Sequence, residues 1–194
     1  MKKITTLLLI AFITIPSIIS YAGDDDKKKT IRAGWQVSNF YDDDFSTTGT
    51  ELHAFYVGFN AEKDLVPLLK FGSGIEYLQN GYTGKVLTEE FSYRSHVISI
   101  PLYLKLKLGP VFALGGAGMN FNVAQNYKVG GSKIDIPDNL QINVFDVPVF
   151  AGVGLKIAMF TIEARYNWGL INAAKSDAFT YKAQYFQLGG GISF

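Results

Sequence analysis

The sequence predicts an all-β protein, an eight-stranded antiparallel up-and-down transmembrane β-barrel that follows a cleaved signal peptide. Three observations carry this expectation. Apolar and polar residues alternate with period two through eight segments, the signature of strands with a different environment on each face. The connections between those segments alternate long and short, which puts long loops on one rim and tight turns on the other. The chain also stops on an amphipathic strand, residues 184–194, in which Phe186, Leu188, Ile192 and Phe194 share one face while Tyr185, Gln187 and Ser193 share the other.

The amino-terminal residues follow a different plan. Lys2 and Lys3 make a basic start, residues 5–15 an apolar stretch, Pro16 a helix break, and Ser20, Tyr21 and Ala22 a small-x-small cleavage pattern. Pro16 cuts the apolar run short of the about 18 residues that a spanning helix needs, so residues 1–22 read as a secretory signal peptide rather than an anchor. Residues 23–29, three Asp followed by three Lys after Gly23, read as a charged flexible leader, and residues 30–194 as a single barrel domain. The absence of cysteine excludes a lipid-attachment site, a disulfide framework and a thiolate metal centre. Losing Lys2 and Lys3 leaves 16 of the 18 basic side chains against 17 acidic ones, so no basic excess points to nucleic acid.

Taken in order, the first strand occupies residues 30–40, with Ile31, Ala33, Trp35 and Val37 on one face and Arg32, Gly34, Gln36 and Ser38 on the other. After a polar loop at 41–50, the second strand sets Phe55, Val57 and Phe59 against Tyr56, Gly58 and Asn60, and Glu62, Lys63, Asp64 and Pro67 form a short turn. The third sets Leu69, Phe71, Ile75 and Tyr77 against Lys70, Gly72, Gly74 and Glu76, and ends at an Asn80-Gly81 turn that opens a long loop through Glu90. The fourth is the clearest, with Ile98, Ile100, Leu102, Leu104 and Leu106 opposite Ser99, Pro101, Tyr103, Lys105 and Lys107. A Gly109-Pro110 turn pairs Leu108 with Val111 and Leu106 with Ala113, which fixes the fifth strand's outward face as Val111, Ala113, Met119 and Phe121. A third long loop is expected over 124–139. The sixth strand sets Phe145, Val147, Val149, Ala151, Val153 and Leu155 against Asp146, Pro148, Phe150, Gly152, Gly154 and Lys156. A minimal turn at Ala158-Met159 leads to the seventh, where Phe160, Ile162, Ala164, Tyr166 and Trp168 oppose Thr161, Glu163, Arg165 and Asn167. A fourth long loop, 172–182, returns the chain to its last strand, which closes the ring by pairing with the first near Ile31 to Val37.

The polarity of the faces decides between water and lipid outside. A soluble barrel turns its apolar face inward and needs an outer face rich in Lys, Glu and Thr. Here the second face is mostly Gly, Ser, Asn and Tyr with isolated charges, too small and sparse for a water-exposed surface and suited to a crowded lumen. Trp35, Tyr166 and Trp168, towards strand ends, suit interfacial aromatic girdles. The compartment that follows is the bacterial outer membrane, reached by export, with its lipid as the surrounding partner.

Residues 98–105, the Gly-rich stretches 113–118 and 151–155, the run Glu163, Ala164, Arg165, Tyr166 and the terminal Phe194 together resemble the PorT-like family of outer-membrane β-barrels. The resemblance covers the mature chain. It implies an eight-stranded barrel, Phe194 as a carboxyl-terminal assembly signal read by the barrel-assembly machinery during biogenesis, and, for some members, an accessory role in type IX protein secretion.

Candidate chemistry is confined to the lumen. Alternation places Arg32, Lys70, Glu76, Lys105, Asp146, Lys156, Glu163 and Arg165 there. Adjacent strands allow Glu76 to meet Lys105, and Asp146 and Glu163 to meet Arg165 and Lys156, in a salt-bridge network that fills the barrel. The two histidines, His53 and His96, stand on strands separated by a third, about two strand spacings apart, which disfavours a shared metal. Ser95 and His96 are neighbours on a strand and point to opposite faces, so no Ser-His-acid triad forms. Asp42, Asp44 and Ser46 begin like a calcium loop, but the glycine falls at Gly49 and no glutamate stands twelfth. Neither residues 189–191 nor 130–133 has phosphate-loop spacing. The expectation is a non-enzymatic barrel with a plugged polar lumen and no cofactor, catalytic residue or metal, acting structurally, through its loops, or through an envelope protein partner. The alternatives are a lipid-modifying enzyme, a small-solute transporter, and a soluble periplasmic binding barrel.

Overall fold

The computed structural model of the chain describes residues 28–41, 50–86, 89–134, 143–172 and 181–194. The signal peptide, the leader up to residue 27, the calcium-like run at 42–49 and most of the first, third and fourth loops lie outside the described residues. The strands are β1 (Lys28–Tyr41), β2 (Thr50–Val66), β3 (Leu69–Val86), β4 (Glu89–Leu108), β5 (Val111–Val129), β6 (Ser132–Ile134), β7 (Phe145–Asp146), β8 (Pro148–Ile157), β9 (Phe160–Gly169) and β10 (Lys182–Ser193). All pairings are antiparallel, and β4–β3–β2–β1–β10–β9–β8–β5 closes on itself through β4–β5, a ring of eight staves. β6 extends the β5 hairpin beyond the rim.

The sixth stave is β7 followed by β8. Asn120 faces Asp146 and Ala117 faces Val149, the same register on both sides of the break. The interruption is therefore the missing N–H of Pro148 rather than a slip. The ring closes where Ile31 faces Ile192 and Val37 faces Phe186, and Lys29 and Phe194 exchange two backbone hydrogen bonds of 3.0 and 2.9 Å. At that seam Gly34 faces Gly189, and a Cβ on either would strike the other strand's backbone.

The outward residues of the staves, among them Ile31, Phe55, Leu104, Val153, Ile162 and Leu188, are exposed and apolar, while the alternate residues are buried and mostly polar. This inverts a soluble barrel and matches a lipid-facing wall. Trp35 and Trp168 lie outward and exposed, and Trp168 packs against Tyr166 at 4.6 Å between ring centres.

Four sequence expectations are corrected. Lys28 and Lys29, assigned to the leader, are the first residues of β1, because Glu62 and Ala61 of β2 extend far enough to pair with them. The turn expected over residues 62–67 narrows to Pro67-Leu68, and Glu62 enters the lumen within β2. Asn80-Gly81 is not a turn: β3 runs through it, and the hairpin with β4 reaches Val86 opposite Glu89, so no long loop opens there. Gly81 is held in the strand instead, since a Cβ would strike the carbonyl of Tyr93. The loop expected from Ala124 begins later. β5 continues to Val129, and Gly130 and Gly131, at φ of 56° and 81°, make the turn to β6. The strand extensions make β2 to β5 a tall wall, with β8 to β10 a short one.

Candidate functional site

The lumen is filled by a simple rule of side-chain size. Lumen-facing glycines stand between large residues on alternate staves: Arg32 faces Gly58, which faces Glu76, and Glu62 faces Gly72, which faces Tyr103. Phe112, Gly154 and Glu163 form a third such row, and Leu114, Gly152 and Arg165 a fourth. A long side chain lies across its glycine neighbour and meets the residue two staves away. The Cβ that a larger residue would add at Gly72 collides with the Tyr103 ring, and at Gly154 with Phe112. Alternation of small and large residues is how a narrow barrel is packed.

The inner half of the lumen uses this rule to build a closed ring of charge. Arg32 lies 2.8 Å from Glu163 and 3.5 Å from Glu76, and Arg165 lies 2.9 Å from Glu163 and 3.3 Å from Glu76. Two guanidiniums and two carboxylates alternate, all at most 9% exposed, with no net charge. Aromatic faces complete the cage: Arg165 stacks over Phe150 at 4.5 Å, and Arg32 over Tyr56 at 5.1 Å. Below the ring Lys105 pairs with Glu62, which also accepts a 3.0 Å hydrogen bond from Tyr103, and Lys105 lies 4.3 Å from the Phe112 ring centre.

The eight residues assigned to the lumen from the sequence divide accordingly. Arg32, Glu76, Glu163 and Arg165 form the ring. Lys105 does not meet Glu76, because Lys105 stands opposite Lys70 and Glu76 opposite Ser99, about 20 Å apart along the strands. Lys70 reaches Asp64 at the inner rim, at 2.5 Å. Lys156 donates to Ser193 Oγ at 2.6 Å rather than to an acid. Asp146 meets neither Arg165 nor Lys156: it stands opposite Asn120 towards the outer end and accepts from the Ile171 N–H at 3.3 Å. Alternation had put Tyr56, Tyr103, Gln36 and Gln187 on the lumen face without assigning them a role, and Glu62 alone of these lumen residues escaped the sequence reading. Glu62 was hidden by the charged run mistaken for a turn, although alternation continued from Gly58 and Asn60 would have found it.

Apart from Asp146, the described outer half of the lumen carries no charged side chain. Register breaks between Glu51 and Tyr56 on β2, leaving residues 79–81 of β3 without partners on that side. Side chains of β1 fill the gap. Gln36 donates to the Gln79 carbonyl and to Asn80 Oδ1, both at 2.8 Å; Ser38 Oγ accepts from the Gly81 N–H at 2.9 Å and donates to its carbonyl at 3.2 Å. Gln187 donates to Gln36 at 3.0 Å. Above them Phe40, Tyr82, Tyr93, Tyr127, Tyr181 and Ala183 cluster as a cap. Two cavities of about 20 Å³, one beside Glu62 and Lys105 and one beside Asn120 and Asp146, have room for little more than a water each.

The histidines stand apart on the outer wall. His53 stacks on Trp35 at 5.4 Å. His96 accepts from Asn126 Nδ2 at Nε2 (3.0 Å), which leaves Nδ1–H to donate to Tyr77 Oη (2.6 Å), so both ring nitrogens are engaged. Ser95, on the opposite, lumen face, is buried and donates to Asn122 Oδ1 at 2.6 Å. Among the described residues no three His, Cys, Asp or Glu side chains gather as a metal site.

The comparisons agree with this architecture. The profile of the outer membrane protein beta-barrel domain matches residues 30–175. Among curated proteins none matches. In fold the chain is similar to Ail, the attachment invasion locus protein of Yersinia pestis, solved in complex with the heparin analogue sucrose octasulfate: TM-score 0.52, 15% identity, covering 87% of this chain and 99% of that one. It is likewise similar to Neisserial surface protein A, at TM-score 0.52 and 15% identity, covering 86% of this chain and 97% of that one.

Proposed function

This chain belongs to the outer membrane protein beta-barrel domain family and resides in the outer membrane, and from that premise we propose that it is a non-enzymatic scaffold with a plugged lumen, working through its outer rim. The observation that carries the reading is the charge ring of Arg32, Glu76, Glu163 and Arg165, closed across the bore with the aromatic cap above it. A bore so filled offers no continuous aqueous path, and the occupied nitrogens of His96 leave it no free base to activate a nucleophile. Among the described residues, what remains to engage the surroundings is the tall wall of β3, β4 and β5 that stands above the rim. A protein partner of the envelope is the occupant this reading assigns to it. An accessory role in type IX secretion is the form such partnering takes in some members of the PorT-like family that the sequence resembles.

Purified full-length protein in planar bilayers tests the plug. The expected record is flat, without stable ohmic steps; large reproducible openings overturn the scaffold reading in favour of a solute path. Proteolysis of intact cells should cut the rim segments while the strands survive.

A further inference from the structure

The outward face of β4 measures the membrane. From Leu108 to Ile98 every outward residue is Leu or Ile, a row of ten residue steps. At about 3.4 Å per step and a tilt of about 40°, the row spans about 26 Å, the height of an outer-membrane apolar band. The next outward residue is His96, joined to Tyr77 on β3 and Asn126 on β5 in a polar aromatic belt at the outer boundary. The next is Arg94, opposite Asn126, then Ser92, opposite Lys128, which in turn faces Lys133 on β6.

Arg94, Lys128 and Lys133 thus form a strip of three cations immediately beyond the hydrocarbon, on the wall rather than in the lumen. None forms an ion pair with a described carboxylate. Of the hairpin's acids, Glu90 lines the same surface hollow as Ser92 and Lys128 but is held by Lys85 at 2.9 Å, and Glu89, opposite Val86, lies against Gly130 at the turn to β6. Neighbouring strands bring Lys128 and Lys133 about 5 Å apart at the backbone, and Arg94 lies one outward position lower, so the strip matches an anion bearing more than one phosphate.

We propose that this strip is a binding site for the phosphorylated headgroup of a glycolipid of the outer leaflet. Its position selects that ligand. The acyl chains of such a lipid lie along the Leu and Ile row, its sugars meet the belt of Tyr77, His96 and Asn126, and its phosphates reach the cations. A free phosphate would satisfy the cations but leave the apolar row unused.

The test uses the full-length protein in phosphatidylcholine nanodiscs, titrated with bis-phosphorylated lipid A, the same lipid after enzymatic dephosphorylation, and inorganic phosphate. A cation beside an anionic lipid surface contributes about a five-fold gain in affinity, so Arg94→Ala, Lys128→Ala and Lys133→Ala together should weaken lipid A binding by roughly 100-fold. Dephosphorylated lipid should bind the wild type with a similar loss, and millimolar inorganic phosphate should not displace lipid A. The charge-keeping variant Arg94→Lys, Lys128→Arg, Lys133→Arg should retain most of the binding, and heat-modifiable gel mobility reports that each variant is folded. Unchanged affinity in the alanine variant, or undiminished binding of dephosphorylated lipid, overturns the proposal. Displacement by micromolar phosphate overturns the lipid as the source of the anion.

Discussion

The two halves of the lumen are plugged by different physics. The inner half is a ring of full charges, each of which has lost its water and depends on two opposite partners. Apart from the single carboxyl of Asp146, the outer half is built of amides, a hydroxyl and aromatic rings, and its hydrogen bonds mainly repair backbone that a register break leaves open. The charged plug therefore ties staves together and is intolerant of the loss of one member, whereas the neutral plug completes a wall and tolerates more.

That contrast can be broken by mutation. The largest effect is expected for Glu76→Ala, which leaves Arg32 and Arg165 buried with Glu163 alone and should destabilise the barrel by about 3–5 kcal/mol, read as the midpoint of urea unfolding in lipid vesicles. In the same assay Ser38→Ala exposes no charge but orphans the N–H and carbonyl of Gly81, a cost of about 1–3 kcal/mol. If the serine variant loses as much as the glutamate variant, the two plugs do not differ in kind. Lys85→Ala, in a fully exposed pair above the rim, should leave the unfolding midpoint unchanged. There Lys85 holds the Glu90 carboxyl below its usual range, so whatever the pair adds is present above the ordinary glutamate pKa and fades as pH falls through the lowered one.

The wall was far more legible in the sequence than its contents. Alternation assigns the faces correctly in every stave, and Gly109-Pro110 sets the pairings of Leu108 with Val111 and of Leu106 with Ala113 that the structure contains. A turn fixes register only for the two strands it joins. The partner of Arg32 depends on registers accumulated across β2 and β3 on one side and β10 and β9 on the other, so alternation puts Arg32 in the lumen without telling it apart from Lys156. Asn80-Gly81 misled for a related reason. The pair has the composition of a turn, and what keeps it extended is its pairing with Ser95 and Arg94 of β4 together with Gln36 and Ser38, two staves away and more than forty residues earlier.

The charge ring also straddles the place where the barrel shuts. Arg32 belongs to the first stave and Glu163 to the seventh, with the final strand between them, so their contact exists only after β10 has docked on β1. Arg32 is thus a latch across the seam, gripping Glu163 over β10 on one side and Glu76 over β2 on the other.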